Sequence, residues 1–151
     1  LWAKANFQLI WQTGTTGIEA AQQKIEEHKI SHIKPFVFIS EMDLAYAAAD
    51  IVISRAGAIA ISELSATGKT GIFIPLPSAA EDHQTKNAQS LVDKNAALLI
   101  PDNEAEEKLF DQCTYLLREE KICALLSKNI RDFARPEADK TIAHEVLKLI
   151  S

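Results

Sequence analysis

Ile51-Val-Ile-Ser-Arg-Ala-Gly-Ala-Ile-Ala-Ile-Ser-Glu63 reads as a buried strand, a glycine turn and the opening turns of a helix. Ile51, Val52 and Ile53 are β-branched and apolar, the composition of a parallel strand covered on both faces. Asp50 is read as the end of a preceding helix. Gly57 lets the chain turn sharply and lets a ligand come close to the backbone. Beyond it, the N–H groups of Ala58, Ile59 and Ala60 open a helix whose first turn carries no capping side chain. Orphan donors and the helix dipole make such a terminus attract anions, phosphate above all. Glu63 follows within two turns, close enough to accept hydrogen bonds from sugar hydroxyls beside a phosphate. The same strand–glycine–helix join also occurs in parallel proteins that bind nothing there, with the glutamate simply solvated. The segment alone leaves both readings open.

Further strand-like runs lie at residues 7–11, 36–39, 71–76 and 96–100, and helical patterns at 18–29, 42–49, 58–67 and 83–94. Strands alternating with helices predict an α/β fold, a Rossmann-like parallel sheet with helices on both faces. After Pro101 only helical patterns follow, at 104–118, 120–134 and 137–150, and Pro136 suits the first turn of the last one. With no repeat or linker, residues 1–151 are read as one domain. Ligands of such sheets bind beyond the carboxyl ends of the strands. The polar loops at residues 12–17, 40–41, 55–57 and 77–84 all fall there.

Composition narrows the possibilities. A chain of 151 residues, 47% hydrophobic and 25% charged, can bury a core of its own. Its net charge of −5 argues against nucleic acid as the main partner and against electrostatic docking on an anionic membrane. No apolar run approaches the roughly 20 residues of a membrane span. Cys113 and Cys123 form no CxxC motif, and His28, His32, His83 and His144 are scattered, so no metal site and no cofactor are expected. The start, Leu1-Trp2-Ala3-Lys4, reads like the end of a helix, and the chain is expected to be a fragment of a longer protein.

Two motifs mislead. Gly68-Lys69-Thr70 has the ending of a phosphate-binding P-loop, but Glu63 stands where that motif needs glycine, and a strand rather than a helix follows. Gln12-Thr-Gly-Thr-Thr-Gly17 sits between strand and helix but lacks the spacing of a dinucleotide fingerprint.

Taken together, Ala49-Asp-Ile-Val-Ile-Ser-Arg-Ala-Gly-Ala-Ile-Ala-Ile-Ser-Glu63, then Gly68, Pro75 and Asp82-His-Gln-Thr-Lys-Asn-Ala88, resemble the donor-binding half of the MurG family. The resemblance runs from Gln12-Thr-Gly14 to the strand ending near Ile100. It implies the C-terminal domain of a GT-B glycosyltransferase, which moves N-acetylglucosamine from UDP-N-acetylglucosamine to lipid I to form the lipid II of peptidoglycan synthesis. By position it assigns the uracil edge to the backbone of Ile39, and the base pocket to Phe38 and Met42. It gives the diphosphate to Gly57, Ala58, Ile59 and Ala60, with Ile61 and Ser62 in the same donor-binding run, and the ribose hydroxyls to Glu63. Gln84 falls where the family hydrogen-bonds the sugar, and His83 stands where a second glutamine is common.

From the residues themselves, Ile39 and Met42 also suit a core, and for Phe38 a core position is the better reading. His83 also suits a helix cap or a surface position. Arg55 suits either a phosphate or an acidic neighbour. The resemblance places the acceptor site, the general base and the membrane-association patch in an N-terminal domain absent from these residues. It therefore implies no catalytic residue here, no activity for the fragment alone, and a full protein peripheral on the inner face of the bacterial cell membrane. Its chemistry is direct displacement at the anomeric carbon with inversion, the helix N-terminus stabilising the departing diphosphate. The alternatives are another UDP-sugar enzyme of the same architecture, such as an epimerase or a different glycosyltransferase, or a non-catalytic α/β binding domain.

Overall fold

The computed structural model describes residues 1–79 and 82–149. The chain forms two compact units, Leu1–Ala49 and Asp50–Ser151.

In the first unit a short 3-10 turn, Trp2–Lys4, precedes β1 (Leu9–Gln12), α1 (Gly14–Glu27), β2 (Ile33–Phe36) and α2 (Met42–Ala48). β1 and β2 pair in parallel, Leu9 opposite Ile33 and Gln12 opposite Phe36. Ala21, Ile33 and Tyr46 are buried. Trp2 packs edge-on against Phe7 at a ring separation of 5.7 Å, and the Trp2 carbonyl lies 3.0 Å from His32 Nε2. Gly14 adopts φ +71°, a left-handed conformation that favours glycine, so most of the expected loop at 12–17 is the first turn of α1.

The strand expected at residues 36–39 is displaced to Ile33–Phe36. Pro35 lies inside it, opposite Trp11, where a strand with a single partner tolerates a residue lacking an N–H. Val37 and Phe38, expected in that strand, instead lie exposed beyond it, Phe38 at 71%. A core role for Phe38 is therefore corrected.

The second unit runs β3 (Ile51–Ser54), α3 (Ala58–Thr67), β4 (Thr70–Phe73), α4 (His83–Val92) and β5 (Leu98–Leu99). A 3-10 turn at Asp102–Glu104 then leads into α5 (Ala105–Arg118), α6 (Glu120–Ile130), a second turn at Arg131–Phe133, and α7 (Ala138–Lys148). The strands are parallel in the order β3-β4-β5, with Ile51 opposite Thr70 and Ile72 opposite Leu98. All four residues of the central strand β4 are buried. Successive strand side chains point to opposite faces, so both faces of this sheet are covered by helices, the Rossmann-like arrangement. Leu64, Leu91, Leu116 and Ile130 complete that core.

α3 stops at Gly68, whose φ of 66° is the left-handed cap that glycine adopts without strain. Ser127 Oγ donates to the Gly68 carbonyl at 2.6 Å, and Arg131 donates to the Thr67 carbonyl at 3.2 Å. Gly68-Lys69-Thr70 is thus the end of a helix and the start of a strand. Of the expected strand runs, 51–54 occurs with those bounds, 36–39 is displaced, the other three are shortened, and the strands are divided between two sheets. α2 ends at Ala48, leaving Asp50 in the connection to β3. α6 ends at Ile130, continuing only as a 3-10 turn, and Pro136 precedes the α7 cap residue Glu137 rather than joining the first turn. Ile150, expected in the last helix, lies outside the described residues.

Candidate functional site

β3 ends at Ser54, and the chain passes through Arg55 and the buried Ala56 to Gly57, the N-cap of α3. No side chain caps this helix, and its first turn carries no acidic residue. The first bond of the helix is donated by the Ile61 N–H to the Gly57 carbonyl at 3.1 Å. The earlier N–H groups of Ala58, Ile59 and Ala60 therefore point out of the helix end, where an anion is favoured. Gly57 has φ −71° and ψ 150°, ordinary extended backbone that any residue adopts. A Cβ there would meet no atom within 4 Å. The glycine is not required by the turn, contrary to the expectation of a sharp bend. What it provides is open space beside the helix terminus.

The side chains around this terminus follow from their place on α3. Ala58, Ile59 and Ser62 are exposed, Ile59 at 77%, while Ala60, Ile61 and Glu63 are half-buried. An isoleucine so exposed on the first turn adds nothing to the core. Glu63 sits one turn into the helix, its carbonyl accepting the Thr67 hydroxyl at 2.8 Å.

Three side chains tie the neighbouring loops together. Arg55 Nη1 donates to the carbonyls of Ile74 at 3.2 Å and Pro75 at 3.3 Å, and pairs with the Asp102 carboxylate. Of the two roles left open for Arg55, the structure shows the acidic partner. Gln84 Oε1 accepts the Leu76 N–H at 3.0 Å, and Asn87 Nδ2 donates to the Ala56 carbonyl at 3.2 Å. Gln84 therefore has its carboxamide oxygen engaged within the chain and only its Nε2 group left to donate elsewhere. His83 is the exposed first residue of α4, after Asp82 at φ 55°. Ala80 and Glu81, part of the loop expected at 77–84, lie outside the described residues.

Gly57 to Glu63, Gln84 and Asn87 are thus gathered in the second unit around the carboxyl ends of β3 and β4. Asn87 belongs to the motif that carries the resemblance but was given no role from sequence, and Asp102 was not singled out. Asn87 lies among helix-forming residues, and Asp102, just past Pro101, carried no signal beyond its position after β5.

Ile39 and Met42 belong to the first unit. Beyond β2, Thr13 N–H and Oγ1 both reach the Phe36 carbonyl, at 2.8 and 3.2 Å, and the Ile39 N–H donates to Gln12 Oε1 at 2.8 Å. A shallow apolar depression of about 280 Å³ is lined by Ile10, Phe36, Phe38, Ile39, Leu44 and Ala45, with Ser40 and Glu41. Met42 does not line it. Among the described residues no group of three or more His, Cys, Asp or Glu side chains is placed to hold a metal ion.

The glycosyltransferase family 28 C-terminal domain matches residues 1–142. A relative from Porphyromonas gingivalis is 47% identical over 151 residues, covering 99% of this chain and 39% of its own. Its name is UDP-N-acetylglucosamine--N-acetylmuramyl-(pentapeptide) pyrophosphoryl-undecaprenol N-acetylglucosamine transferase. A relative of the same name from Cytophaga hutchinsonii is 44% identical over 147 residues, covering 97% of this chain and 39% of its own. The crystal structure of Acinetobacter baumannii MurG is similar with a TM-score of 0.82 at 29% identity, covering 93% of this chain and 43% of that one. The chain thus spans about two fifths of the length of these relatives.

Proposed function

The chain belongs to the glycosyltransferase family 28 C-terminal domain, MurG type, and from that premise we propose that it is the donor-binding part of an inverting hexosyltransferase. The complete protein transfers N-acetylglucosamine from UDP-N-acetylglucosamine to lipid I, giving the lipid II of peptidoglycan synthesis. Ile39 and Met42 are assigned to the uracil, Gly57 to Ala60 to the diphosphate with Ile61 and Ser62 in the same donor-binding run, Glu63 to the ribose, and His83 and Gln84 to the sugar. Acceptor binding and general-base catalysis belong to residues outside this chain, and no catalytic residue is assigned within it. Among the described residues no helix is long and apolar enough to cross a membrane, and we place the complete protein peripherally on the inner face of the cell membrane.

The observation that carries this reading is the uncapped α3 terminus beside the open space at Gly57. As the bond to the anomeric carbon breaks, negative charge grows on the departing UDP diphosphate. N–H donors and a dipole already aimed at that position stabilise the charge without reorganising. The nucleophilic oxygen of the acceptor takes the opposite face of the sugar, which gives inversion.

Two measurements test it. The complete gene product, supplied with lipid I and UDP-N-acetylglucosamine, should release UDP and form lipid II, whereas residues 1–151 alone should release no UDP at an enzymatic rate. Glu63→Gln in the complete protein should cost about 1.5–3 kcal/mol of UDP binding, the worth of a charge-assisted hydrogen bond. Unchanged UDP affinity in calorimetry, with the fold intact, would remove Glu63 from the ribose site.

A further inference from the structure

We propose that Arg55 and Asp102 form a positioning clamp that sets the sugar-facing carboxamide of Gln84 without either residue touching the donor. The inference rests on the donor-binding reading above and adds a specificity device to it.

The geometry is a chain of contacts across the carboxyl edge of the three-stranded sheet. Arg55 leaves the end of β3, crosses the end of β4 and reaches Asp102 beyond β5. On the way its Nη1 holds the carbonyls of Ile74 and Pro75, at 3.2 and 3.3 Å. The next residue, Leu76, donates its N–H to Gln84 Oε1 at 3.0 Å. Gln84 therefore takes its orientation from a loop that Arg55 holds. Rotating that loop by one peptide would release the carboxamide oxygen, and Nε2 would lose its fixed direction.

Two features argue against a direct phosphate role for Arg55. Its charge is matched by Asp102, so the pair presents little net field to an anion. Its Nη1 is also committed to acceptors just beyond β4, at Ile74 and Pro75, and to Asp102 beyond β5. A purely stabilising role fits poorly as well. The side chains of Arg55 and Asp102 are 49% and 36% exposed, and ion pairs of that exposure add little to folding. Substitutions here should therefore leave a folded protein whose function can be read.

The test uses the complete gene product and four variants: Arg55→Gln, Asp102→Asn, Gln84→Ala and Arg55→Gln/Gln84→Ala. Expected is a fall of roughly tenfold in kcat/KM for the UDP-sugar in Arg55→Gln and Asp102→Asn, a size typical of coupled polar neighbours. The Kd for UDP alone should change less than about threefold, since the clamp acts on the sugar arm. In the Gln84→Ala background Arg55→Gln should add almost nothing, because both remove the same function. A loss of UDP affinity in Arg55→Gln that Asp102→Asn does not share would overturn the clamp in favour of a direct phosphate contact. Fully additive losses for Arg55→Gln and Gln84→Ala would overturn it in favour of independent roles. A general loss of thermal stability with unchanged kcat/KM per folded molecule would reduce the pair to a fold contact. If the unsubstituted protein binds no UDP at all, the donor-binding reading itself fails, an outcome distinct from each of these.

Discussion

Asn87 on α4 donates its carboxamide to the carbonyl of Ala56 at 3.2 Å, tying that helix to the buried residue just before the α3 cap. Asn87→Ala removes the partner of a carbonyl on a fully buried residue and should lower stability by about 1–3 kcal/mol. Asn87→Asp should be worse than Asn87→Ala, since a carboxylate would face the carbonyl oxygen instead of donating to it. Chemical denaturation of both variants checks the order. Equal stability of Asn87→Asp and the parent would show that the bond is dispensable.

The two glycines flanking α3 should respond in opposite ways. Gly68 has φ +66°, and a Cβ there would fall on the Arg131 guanidinium. Gly68→Ala should therefore cost at least about 1–2 kcal/mol, the left-handed penalty for an L side chain, before Arg131 is displaced. Gly57 has an ordinary extended conformation and an empty Cβ position, so Gly57→Ala should leave stability unchanged or raise it by about 0.4–1 kcal/mol. The same methyl would stand where the diphosphate approaches, so UDP affinity should fall. Thermal unfolding and calorimetry on the pair separate a glycine kept for folding from one kept for binding.

Burial pushes the Cys113 thiol up to about 11, and burial likewise raises Cys123. A thiol whose folded value exceeds the ordinary one of about 8.5 ionises first in the unfolded chain. Its contribution to stability is complete below that pH and is lost as pH rises toward the folded value. The parent should thus lose stability between about pH 8.5 and 11 more steeply than Cys113→Ala, which lacks the thiol. Parallel pH profiles would contradict this. Cys113 should also resist alkylation at neutral pH until the protein unfolds.

β3 and α3 were legible residue by residue, because a β-branched run and a small-residue helix start give strong and separate local signals. β2 was not. Its Lys34-Pro35 core looks like a boundary, and the apolar run after it looks like the strand, because periodicity cannot tell an exposed apolar loop from a buried strand. The division of the strands between two sheets was equally hidden, since strand character does not state which strands pair. In the site, the anion-binding helix terminus was readable as a local pattern. The Arg55–Asp102 pair was not, for its members are 47 positions apart and meet only through the strand order. Gln84 was placed by resemblance, but only the structure shows that its oxygen is already spent on Leu76.

Ala58→Asp tests most directly whether the diphosphate sits at the α3 terminus. Ala58 is the exposed first residue of α3, in a first turn that carries no acidic residue. A carboxylate there should stabilise the helix by about 0.3–1 kcal/mol through the dipole. It should also occupy the anion site with a like charge, and so repel the diphosphate. The predicted result, from thermal unfolding and UDP calorimetry on one sample, is stability held or raised while UDP binding collapses. UDP affinity equal to that of the parent would contradict the placement of the nucleotide at the α3 terminus.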